Sequence, residues 1–253
     1  MQEPTLPQGY SLAAFDTLDS TNSELKRRVA QGEAPDRLVV WAIEQTKGRG
    51  RRGRSWSGPA GNLMCSILLR PNCSLPSAAQ LGFVAALAVL DTVRPLLPGR
   101  QDIALKWPND VLVGGRKVSG ILLEAGGWMP GAPGWVVVGT GINLMHHPGD
   151  TEWPATDVRT EGGRAATAVQ ALEAYCGAFE RWSACWSRDG FEPIRQEWMR
   201  NAYGLGDPIV ARVEAGTITG RMLGIDPDGS LVLESDAGTE CRLAAADILP
   251  AEG

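Results

Sequence analysis

Residues 47–54 place five cationic side chains within eight positions of a chain whose formal net charge is −5. Three glycines interrupt this run, and glycine lets a backbone approach a ligand closely because it carries no side chain. The like charges repel one another, so we expect this loop to be poorly ordered until an anion neutralises it. The pattern is typical of a polyphosphate-binding loop, a nucleic-acid patch or an unusually charged turn, and these three alternatives stay open at this point.

The same segment contains the pattern G-x-G-x-x-G, which also occurs in dinucleotide-binding folds. Those folds need a strand before the glycines, a helix after them and an acidic residue about 20 positions later. A strand-like run at 38–43 does precede the glycines. They are followed by Ser-Gly-Pro at 57–59 and a second strand-like run at 63–69, and no acidic residue lies between Arg54 and Asp91. We therefore do not expect a doubly wound parallel sheet.

The composition is that of an ordinary globular protein, with 43% hydrophobic and 21% charged residues in a chain of 253. This length suits one large domain or a domain with a small additional module. The acidic net charge argues against general nucleic-acid binding. The first residues lack the basic and apolar segments of a signal peptide. The longest apolar region, 78–97, is interrupted by Asp91 and Arg94, so we expect a buried helix and no membrane partner.

The five cysteines include no C-x-x-C pair, and the two histidines, His146 and His147, are adjacent. The small number and the spacing of these residues argue against a disulfide framework and against a metal site with direct histidine or cysteine ligation. Reduced core thiols are the simplest interpretation, and they indicate a cytoplasmic protein.

Residues 19–24 read Asp-Ser-Thr-Asn-Ser-Glu and predict the start of a helix that ends at Gly32. Thr21 and Glu24 have the spacing of a capping box. A plain cap is the simpler interpretation. The alternative is that a polar helix start presents hydroxyl and amide groups to a ligand.

The remaining pattern predicts alternating strands and helices, followed by a small all-β unit. Strands are expected at 38–44, 63–70, 103–106, 110–124 (a hairpin that turns at Gly114 and Gly115) and 135–138. Helices are expected at 77–93, 167–187 and 190–200. A linker at 204–208 leads to short strands at 209–213, 216–225, 230–235 and 239–243.

A second unusual segment, Lys-Trp-Pro-Asn-Asp at 106–110, places polar side chains at a corner between two strands, because proline ends a strand. The hairpin that follows can return Lys117, and Gly120 beside it, towards the same corner. The alternative is an edge hairpin with solvated basic residues. Residues 139–143, Gly-Thr-Gly-Ile-Asn, add a glycine-lined approach and an amide that can bind a phosphate, a ribose or a metal-bound water.

Three segments together resemble the motifs of the biotin protein ligases: GRGRRGRSW at 48–56, KWPNDVLVGGRKVSGILLE at 106–124 and GTGIN at 139–143. The resemblance extends over nearly the whole chain, from residue 20 to the C-terminal unit. It implies an α/β (α+β) fold, with a mixed-sheet catalytic domain like that of class II synthetase-like ligases at 1–204. A small SH3-like β-barrel would follow at 205–253.

The resemblance implies a ligase that activates biotin with ATP to biotinyl-5'-AMP, with Mg²⁺, and transfers biotin to a lysine of a biotin carboxyl carrier domain. The implied catalytic residues are Lys117, Arg51 and Lys106. The implied biotin-binding residues are Ser20, Thr21, Asn22, Gln45, Gly48, Arg49, Gly50, Arg51, Lys117 and Gly120. The implied ATP- or adenylate-binding residues are Arg51, Arg52, Arg54, Trp56, Lys106, Asn109, Asp110, Lys117 and Asn143.

The family includes members with an N-terminal helix-turn-helix domain, but only 19 residues precede Ser20 here, so we expect no DNA partner. A monomer or weak homodimer is expected. Three alternatives remain. A lipoate or octanoate ligase of the same superfamily usually carries a histidine in its arginine- and glycine-rich motif, and none lies near residue 50. A nucleic-acid-binding module would need a wider basic patch with aromatic residues. A non-catalytic biotin-binding protein would not need the phosphate-facing lysines.

Overall fold

The computed structural model describes residues 3–128, 130–214, 216–235 and 237–250. Over these residues the chain forms five α-helices and thirteen β-strands. The helices are α1 (Thr21–Gln31), α2 (Leu75–Ala79), α3 (Leu81–Val93), α4 (Ala168–Asp189) and α5 (Glu192–Arg200). The strands are β1 (Ser11–Leu18), β2 (Leu38–Arg49), β3 (Ser55–Gly58), β4 (Leu63–Leu69), β5 (Ile103–Lys106), β6 (Asp110–Val113), β7 (Arg116–Gly126), β8 (Trp135–Ile142), β9 (Pro208–Val213), β10 (Gly216–Ile225), β11 (Leu231–Glu234), β12 (Glu240–Leu243) and β13 (Asp247–Pro250).

The larger sheet has the strand order β1-β2-β4-β8-β7-β6-β5, and β3 pairs with the end of β2. Strands β1 and β2 run parallel, whereas the other pairs are antiparallel. The sheet is therefore mixed, which confirms the predicted fold class. Strand β1 was not predicted, because its sequence lacks an alternating apolar pattern and it pairs at the sheet edge with only one neighbour.

Helix α3 forms the centre of the core, with every residue except Asp91 buried. A helix that is apolar on all sides must be covered on all sides, and α4, α5 and the larger sheet supply that cover. The stretch Leu75–Leu96 is long and apolar enough to span a membrane, but 72% of its most apolar window is buried inside the protein. The predicted single helix is divided at Gln80. It starts at Leu75, because Ser74 Oγ accepts a hydrogen bond from the Ser77 backbone.

The second sheet is antiparallel and has the order β12-β11-β10-β9-β13. Its first four strands lie where the sequence predicted them. The last strand, Asp247–Pro250, was not predicted, since four residues that end in proline carry little pattern. It pairs with β9 and so adds an edge to the sheet.

The two sheets are joined through the turn between β10 and β11. The Trp107 indole Nε1 donates a 3.0 Å hydrogen bond to the Gly229 carbonyl, and Arg195 Nε donates a 2.8 Å bond to the Ile225 carbonyl. A side chain on Gly229 would meet the Phe83 ring at 2.8 Å, so the turn lies directly on the core helix. The 106–110 corner therefore rests against the second sheet.

The predicted capping box at the start of α1 is wrong. The residue at the cap position is Ser20, and its side chain makes no capping hydrogen bond. The Thr21 side chain contacts Gln45, and Glu24 forms ion pairs with the arginines at 27 and 28. A tertiary partner thus competes successfully for the hydroxyl that would otherwise cap the helix.

Two strands extend further than predicted. Strand β2 continues to Arg49, because β3 folds back on it and pairs with its second half. Strand β8 continues to Ile142, so Gly139 and Gly141 lie in the sheet and not in a loop. Glycines at these positions leave the face of the strand open.

Candidate active site

One cavity of about 490 Å³ opens on the larger sheet, where α1, the β2–β3 hairpin, the 106–110 corner and β13 approach one another. All of the predicted site residues except Gly48 and Arg52 line it. Gly48 is buried between β2 and β3, and a side chain there would overlap the Trp56 backbone. Arg52 contacts Asp247, which itself lines the cavity. Three separated motifs therefore meet at a single site.

A first cluster, which we call the α1 cluster, consists of Ser20, Thr21, Asn22 and Gln45. The first three are buried at the start of α1. Gln45 Oε1 accepts a 2.8 Å hydrogen bond from the Thr21 backbone N–H and lies 3.0 Å from Thr21 Oγ1. Parallel pairing of β1 with β2 brings the end of β1 beside Gln45 and thereby places these residues together. The α1 cluster is uncharged and rich in hydrogen-bonding groups.

Two residues that were not predicted contact the α1 cluster without lining the cavity. Ser66 on β4 is fully buried, and its Oγ lies 2.7 Å from Thr21 Oγ1 and 2.5 Å from Asn22 Oδ1. Glu124 on β7 accepts a 2.9 Å hydrogen bond from Asn22 Nδ2. Glu124 also contacts Arg49, at 3.3 Å, so this arginine lies beside the cluster. Neither residue belongs to a recognisable local pattern, because both act through tertiary contacts.

A second cluster, which we call the lysine cluster, consists of Lys106, Asp110 and Lys117. Lys117 Nζ lies 2.5 Å from Asp110 Oδ1, and Lys106 Nζ lies 3.5 Å from Asp110 Oδ2. The hairpin thus returns Lys117 to the corner, and a bulge in the β6–β7 pairing changes the register between Val111 and Leu112. Burial lowers the pKa of Lys106, and the Asp110 charge opposes this effect. One carboxylate is shared by two lysines, so the cluster carries net positive charge.

Arginines of the 50–54 segment complete the cationic side of the cavity. Arg51 Nη1 donates a 3.2 Å hydrogen bond to Asn109 Oδ1, and Asn109 Nδ2 donates to the Ile121 carbonyl at 2.7 Å. Burial lowers the pKa of Arg51, but a guanidinium stays charged at neutral pH. Gly50 donates its backbone N–H to the Arg54 carbonyl and so closes a tight turn.

Asp247 of the second sheet contacts two of these arginines. Its Oδ2 lies 2.5 Å from Arg54 Nη2 and 3.0 Å from Arg52 Nη1. Burial would raise the pKa of Asp247, but the Arg54 hydrogen bond and the surrounding arginine charges lower it. This acid was not predicted, because it lies in a segment without a recognisable pattern, almost two hundred residues from its partners.

Trp56 forms the wall of the cavity over two glycines. A side chain on Gly141 or Gly120 would overlap its indole ring, so only glycine allows the ring to lie flat on β7 and β8. Lys117 Nζ lies 5.6 Å from the centre of this ring. Trp56 Nε1 is buried and makes no hydrogen bond within the described residues.

The segment after β8 covers the other side of the lysine cluster. Asn143 is almost fully buried, and its Nδ2 donates a 3.0 Å hydrogen bond to the Thr156 carbonyl. The Oδ1 of Asn143 is therefore the group that it can present to a ligand. Trp153 of this segment was not predicted, although Lys106 Nζ lies 4.2 Å from its ring. His147 Nδ1 donates a 2.6 Å hydrogen bond to the buried Asp157 carboxylate and anchors the segment away from the cavity.

This arrangement suits a molecule with a neutral polar head and a polyanionic part. The α1 cluster offers donors and acceptors without charge. Five cationic side chains line the rest of the cavity: Arg49, Arg51, Arg54, Lys106 and Lys117. Donors of this kind stabilise charge that develops on phosphoryl oxygens. Among the described residues, no group of three or more histidines, cysteines, aspartates or glutamates is arranged to hold a metal ion.

Comparison with known proteins gives consistent matches over both units. A family model described as "Biotin/lipoate A/B protein ligase family" matches residues 14–143, and a second, "Biotin protein ligase C terminal domain", matches residues 204–249. The biotin--[acetyl-CoA-carboxylase] ligase of Paracoccus denitrificans is 43% identical over 234 residues, which cover 90% of this chain and 95% of that protein. The bifunctional ligase/repressor BirA of Bacillus subtilis is 34% identical, over 95% of this chain and 74% of its own length.

Solved structures agree with these matches. A biotin protein ligase from Aquifex aeolicus in complex with biotin and ATP is 26% identical and superimposes with a TM-score of 0.79, covering 94% of this chain and 97% of that one. A biotin acetyl coenzyme A carboxylase synthetase from Helicobacter pylori, with bound biotinylated ATP, is 21% identical with a TM-score of 0.62 and covers 92% and 99% of the two chains. At 21% identity, the likeness to the Helicobacter pylori structure shows a shared fold and nothing more.

Proposed function

Because this chain belongs to the biotin protein ligase family, we propose that its cavity binds biotin at the α1 cluster and ATP at the lysine cluster and the arginines. The chain is a ligase that activates biotin with ATP to biotinyl-5'-AMP and transfers the biotin to a lysine of a protein acceptor. One observation carries the assignment of the site: a single cavity brings a neutral hydrogen-bonding cluster and a cationic cluster together.

The first reaction joins a carboxylate to the α-phosphate of ATP, and these two anions repel each other. Cations that contact both groups remove the repulsion and stabilise the charge of the transition state. A unit charge pair about 4 Å apart contributes about 4 kcal/mol at an effective dielectric constant of 20, but only about 1 kcal/mol in water. Exclusion of water by the 50–54 segment, which we call the arginine loop, therefore strengthens each such pair about fourfold.

Lys117 is the residue that we assign to the reacting groups. It lies on β7 beside Gly120 and pairs with Asp110 in the ligand-free arrangement. Its ammonium exchanges this carboxylate for the biotin carboxylate and the α-phosphate when both substrates bind. Lys106 and Arg51 then hold the phosphate chain, and Arg54 and Trp56 close over the nucleotide. The Asp110 charge opposes the effect of burial, which lowers the pKa of Lys106.

We propose that Mg²⁺ enters the site bound to ATP and is not held by the protein alone. Both Asp110 oxygens face lysines, so we assign the ion to the amide oxygens beside them, Asn143 Oδ1 and, after Arg51 moves, Asn109 Oδ1. Such a donor set suits Mg²⁺, which keeps several waters and binds mainly through substrate phosphates. When bound, the ion neutralises phosphate charge.

The acceptor and the cellular setting are proposals of the same kind. The name of the Paracoccus relative supports a carboxylase subunit, and specifically its biotin carboxyl carrier domain, as the acceptor. We propose a division of the chain into a catalytic domain at 1–204 and an SH3-like domain at 205–253, which the second family match supports. The five free thiols support a cytoplasmic location, and a monomer or weak homodimer is proposed.

Pyrophosphate release from ATP tests the assignment. We expect release that requires biotin and does not occur with lipoate or octanoate. Transfer is then followed as radiolabelled biotin on a purified biotin carboxyl carrier domain, with an acceptor whose target lysine is changed to arginine as the control. Release that depends on lipoate, or biotin-dependent release with no transfer to any carrier domain, would contradict the proposal.

A further inference from the structure

A chain of polar contacts runs beneath the α1 cluster and ends at a carboxylate outside the cavity. Asn22 Nδ2 donates to Glu124 Oε2 at 2.9 Å, and Asn22 Oδ1 lies 2.5 Å from Ser66 Oγ. Ser66 Oγ lies 2.7 Å from Thr21 Oγ1, which in turn lies 3.0 Å from Gln45 Oε1. Thr21, Asn22 and Gln45 line the cavity, whereas Ser66 and Glu124 do not. This series of polar contacts therefore links the Glu124 carboxylate to the cavity-lining groups that we assign to the ligand.

Glu124 determines which way the Asn22 amide points. The amide nitrogen faces Glu124 Oε2 and the Leu122 carbonyl, the latter at 3.3 Å, and both of these oxygens can only accept hydrogen bonds. The amide oxygen must then face Ser66. A side chain on Gly139 would overlap this amide, so the absence of a side chain there leaves the space that the amide occupies.

The hydroxyl protons within this chain of polar contacts can be counted. Three oxygen–oxygen contacts connect Asn22 Oδ1, Ser66 Oγ, Thr21 Oγ1 and Gln45 Oε1, but the two hydroxyls supply only two protons. One contact must lack a proton. The 3.0 Å contact to Gln45 is the longest, and Gln45 Oε1 already accepts the Thr21 backbone N–H at 2.8 Å. The favoured arrangement is therefore Ser66 donating to Asn22 and Thr21 donating to Ser66.

This arrangement leaves specific groups for a ligand. Thr21 Oγ1 has given its proton to Ser66, so it faces the cavity as an acceptor. The Thr21 backbone N–H holds the Gln45 oxygen, so Nε2 is the group of this cavity-lining amide that is left to donate. An acceptor next to a donor matches the N–H and C=O groups of a cyclic urea, which is the head group of biotin.

We propose that Glu124 is a positioning residue that sets the direction of this hydrogen-bond chain and thereby makes the α1 cluster selective for a ureido N–H. The proposal rests on the assignment of the α1 cluster as the biotin site. Glu124 contacts no ligand. It acts through Asn22 and Ser66 on the proton of Thr21.

Glu124 remains charged at neutral pH, as this role requires. Burial would raise the pKa of Glu124, but hydrogen bonds from Lys26 and Asn22 and the Arg49 charge together lower it. Lys26 binds the other carboxylate oxygen, Oε1, at 2.6 Å. A purely mechanical alternative is that Glu124 anchors α1 to β7 through Lys26. The two roles use different oxygens and can be separated.

The test compares biotin with its two carbamate analogues, in which one or the other ureido N–H is replaced by a ring oxygen. Binding is measured by calorimetry for the wild type, Glu124→Gln and Lys26→Met. In the wild type, one analogue should bind at least about tenfold more weakly than biotin, because its ring oxygen faces an acceptor. Glu124→Gln should reduce the ratio of the two dissociation constants, weaker analogue over biotin, at least about threefold. A glutamine amide can donate a hydrogen bond to Asn22, which lets the Asn22 amide reverse. Ser66 then donates to Thr21, and the Thr21 hydroxyl proton becomes available to the ligand. Lys26→Met should leave the ratio unchanged.

A second variant covers the case in which Glu124→Gln does not fold, which circular dichroism would show. Asn22→Ala breaks the chain at its next link without a change of charge, and it should reduce the same ratio. The proposal is overturned if the wild type binds both analogues as well as biotin. It is also overturned if the ratio is unchanged in the folded variants, or if Lys26→Met reduces it equally. Failure of the wild type to bind biotin would instead refute the assignment of the site.

Discussion

Asp247 provides a direct test of how the arginine loop is held before substrates bind. The carboxylate contacts Arg52 at 3.0 Å and Arg54 at 2.5 Å, and both arginines are roughly half exposed. Ion pairs of this exposure contribute about 0.2–1 kcal/mol each. We therefore expect Asp247→Asn to favour release of the loop by about 1 kcal/mol, which corresponds to about a fivefold larger open population.

Limited trypsin digestion measures this population, since cleavage of a transiently opened segment follows the opening equilibrium. Cleavage after Arg52 or Arg54 should be measurable in the free protein and about fivefold faster in Asp247→Asn. Biotin plus ATP should suppress cleavage strongly in both proteins and remove the difference, because phosphate replaces the carboxylate as the partner of the arginines. Asp228→Asn is the matched control, because Asp228 is exposed in the turn between β10 and β11 and makes no ion pair within the described residues.

Two results would refute this reasoning. Equal cleavage of the free wild type and Asp247→Asn would mean that Asp247 does not hold the loop. Equal cleavage with and without substrates would mean that the loop does not close on a ligand, and exclusion of water from the site would need another cause.

Four further predictions follow from the site and its surroundings. Lys117→Ala should fold normally and lose biotin-dependent pyrophosphate release by at least about a hundredfold, and near-normal release would refute its assigned role. Gly141→Ala should displace Trp56 and weaken ATP binding at least about tenfold in calorimetry, whereas unchanged binding would show that the ring does not form the nucleotide site. The Arg27 hydrogen bond lowers the pKa of Asp19 to about 2 from 3.8, so its stabilising effect is present above about pH 4 and is lost as the pH falls towards 2. Because this pair is exposed, Asp19→Asn should cost at most about 1 kcal/mol in urea unfolding at pH 7 and only a small part of that at pH 2, and an equal cost at both values would contradict the assignment. The chain should show no sequence-specific DNA binding in mobility-shift assays, with or without biotin, because its net charge is negative and DNA is a polyanion.

The local sequence determines the elements that carry the site. The basic glycine-rich segment, the 106–110 corner and the glycines at 139 and 141 are visible as patterns because their chemistry depends on neighbours in the chain. The hairpin that turns at Gly114 and Gly115 is visible in the same way, and it brings Lys117 back to Asp110. These features depend on backbone conformation and on short separations, which a single sequence records.

Tertiary structure decides which partners these residues meet. Thr21 has the spacing of a helix cap, yet its hydroxyl contacts Gln45 and Ser66 on neighbouring strands. Glu124 reaches Asn22 across about a hundred residues, and Asp247 neutralises arginines almost two hundred residues earlier in the chain. No local pattern marks such residues, because an ion pair or a buried hydrogen bond depends on the distance between atoms in space. The charge repulsion that the sequence predicts for the arginine loop is therefore offset by acids that only the folded chain brings beside it.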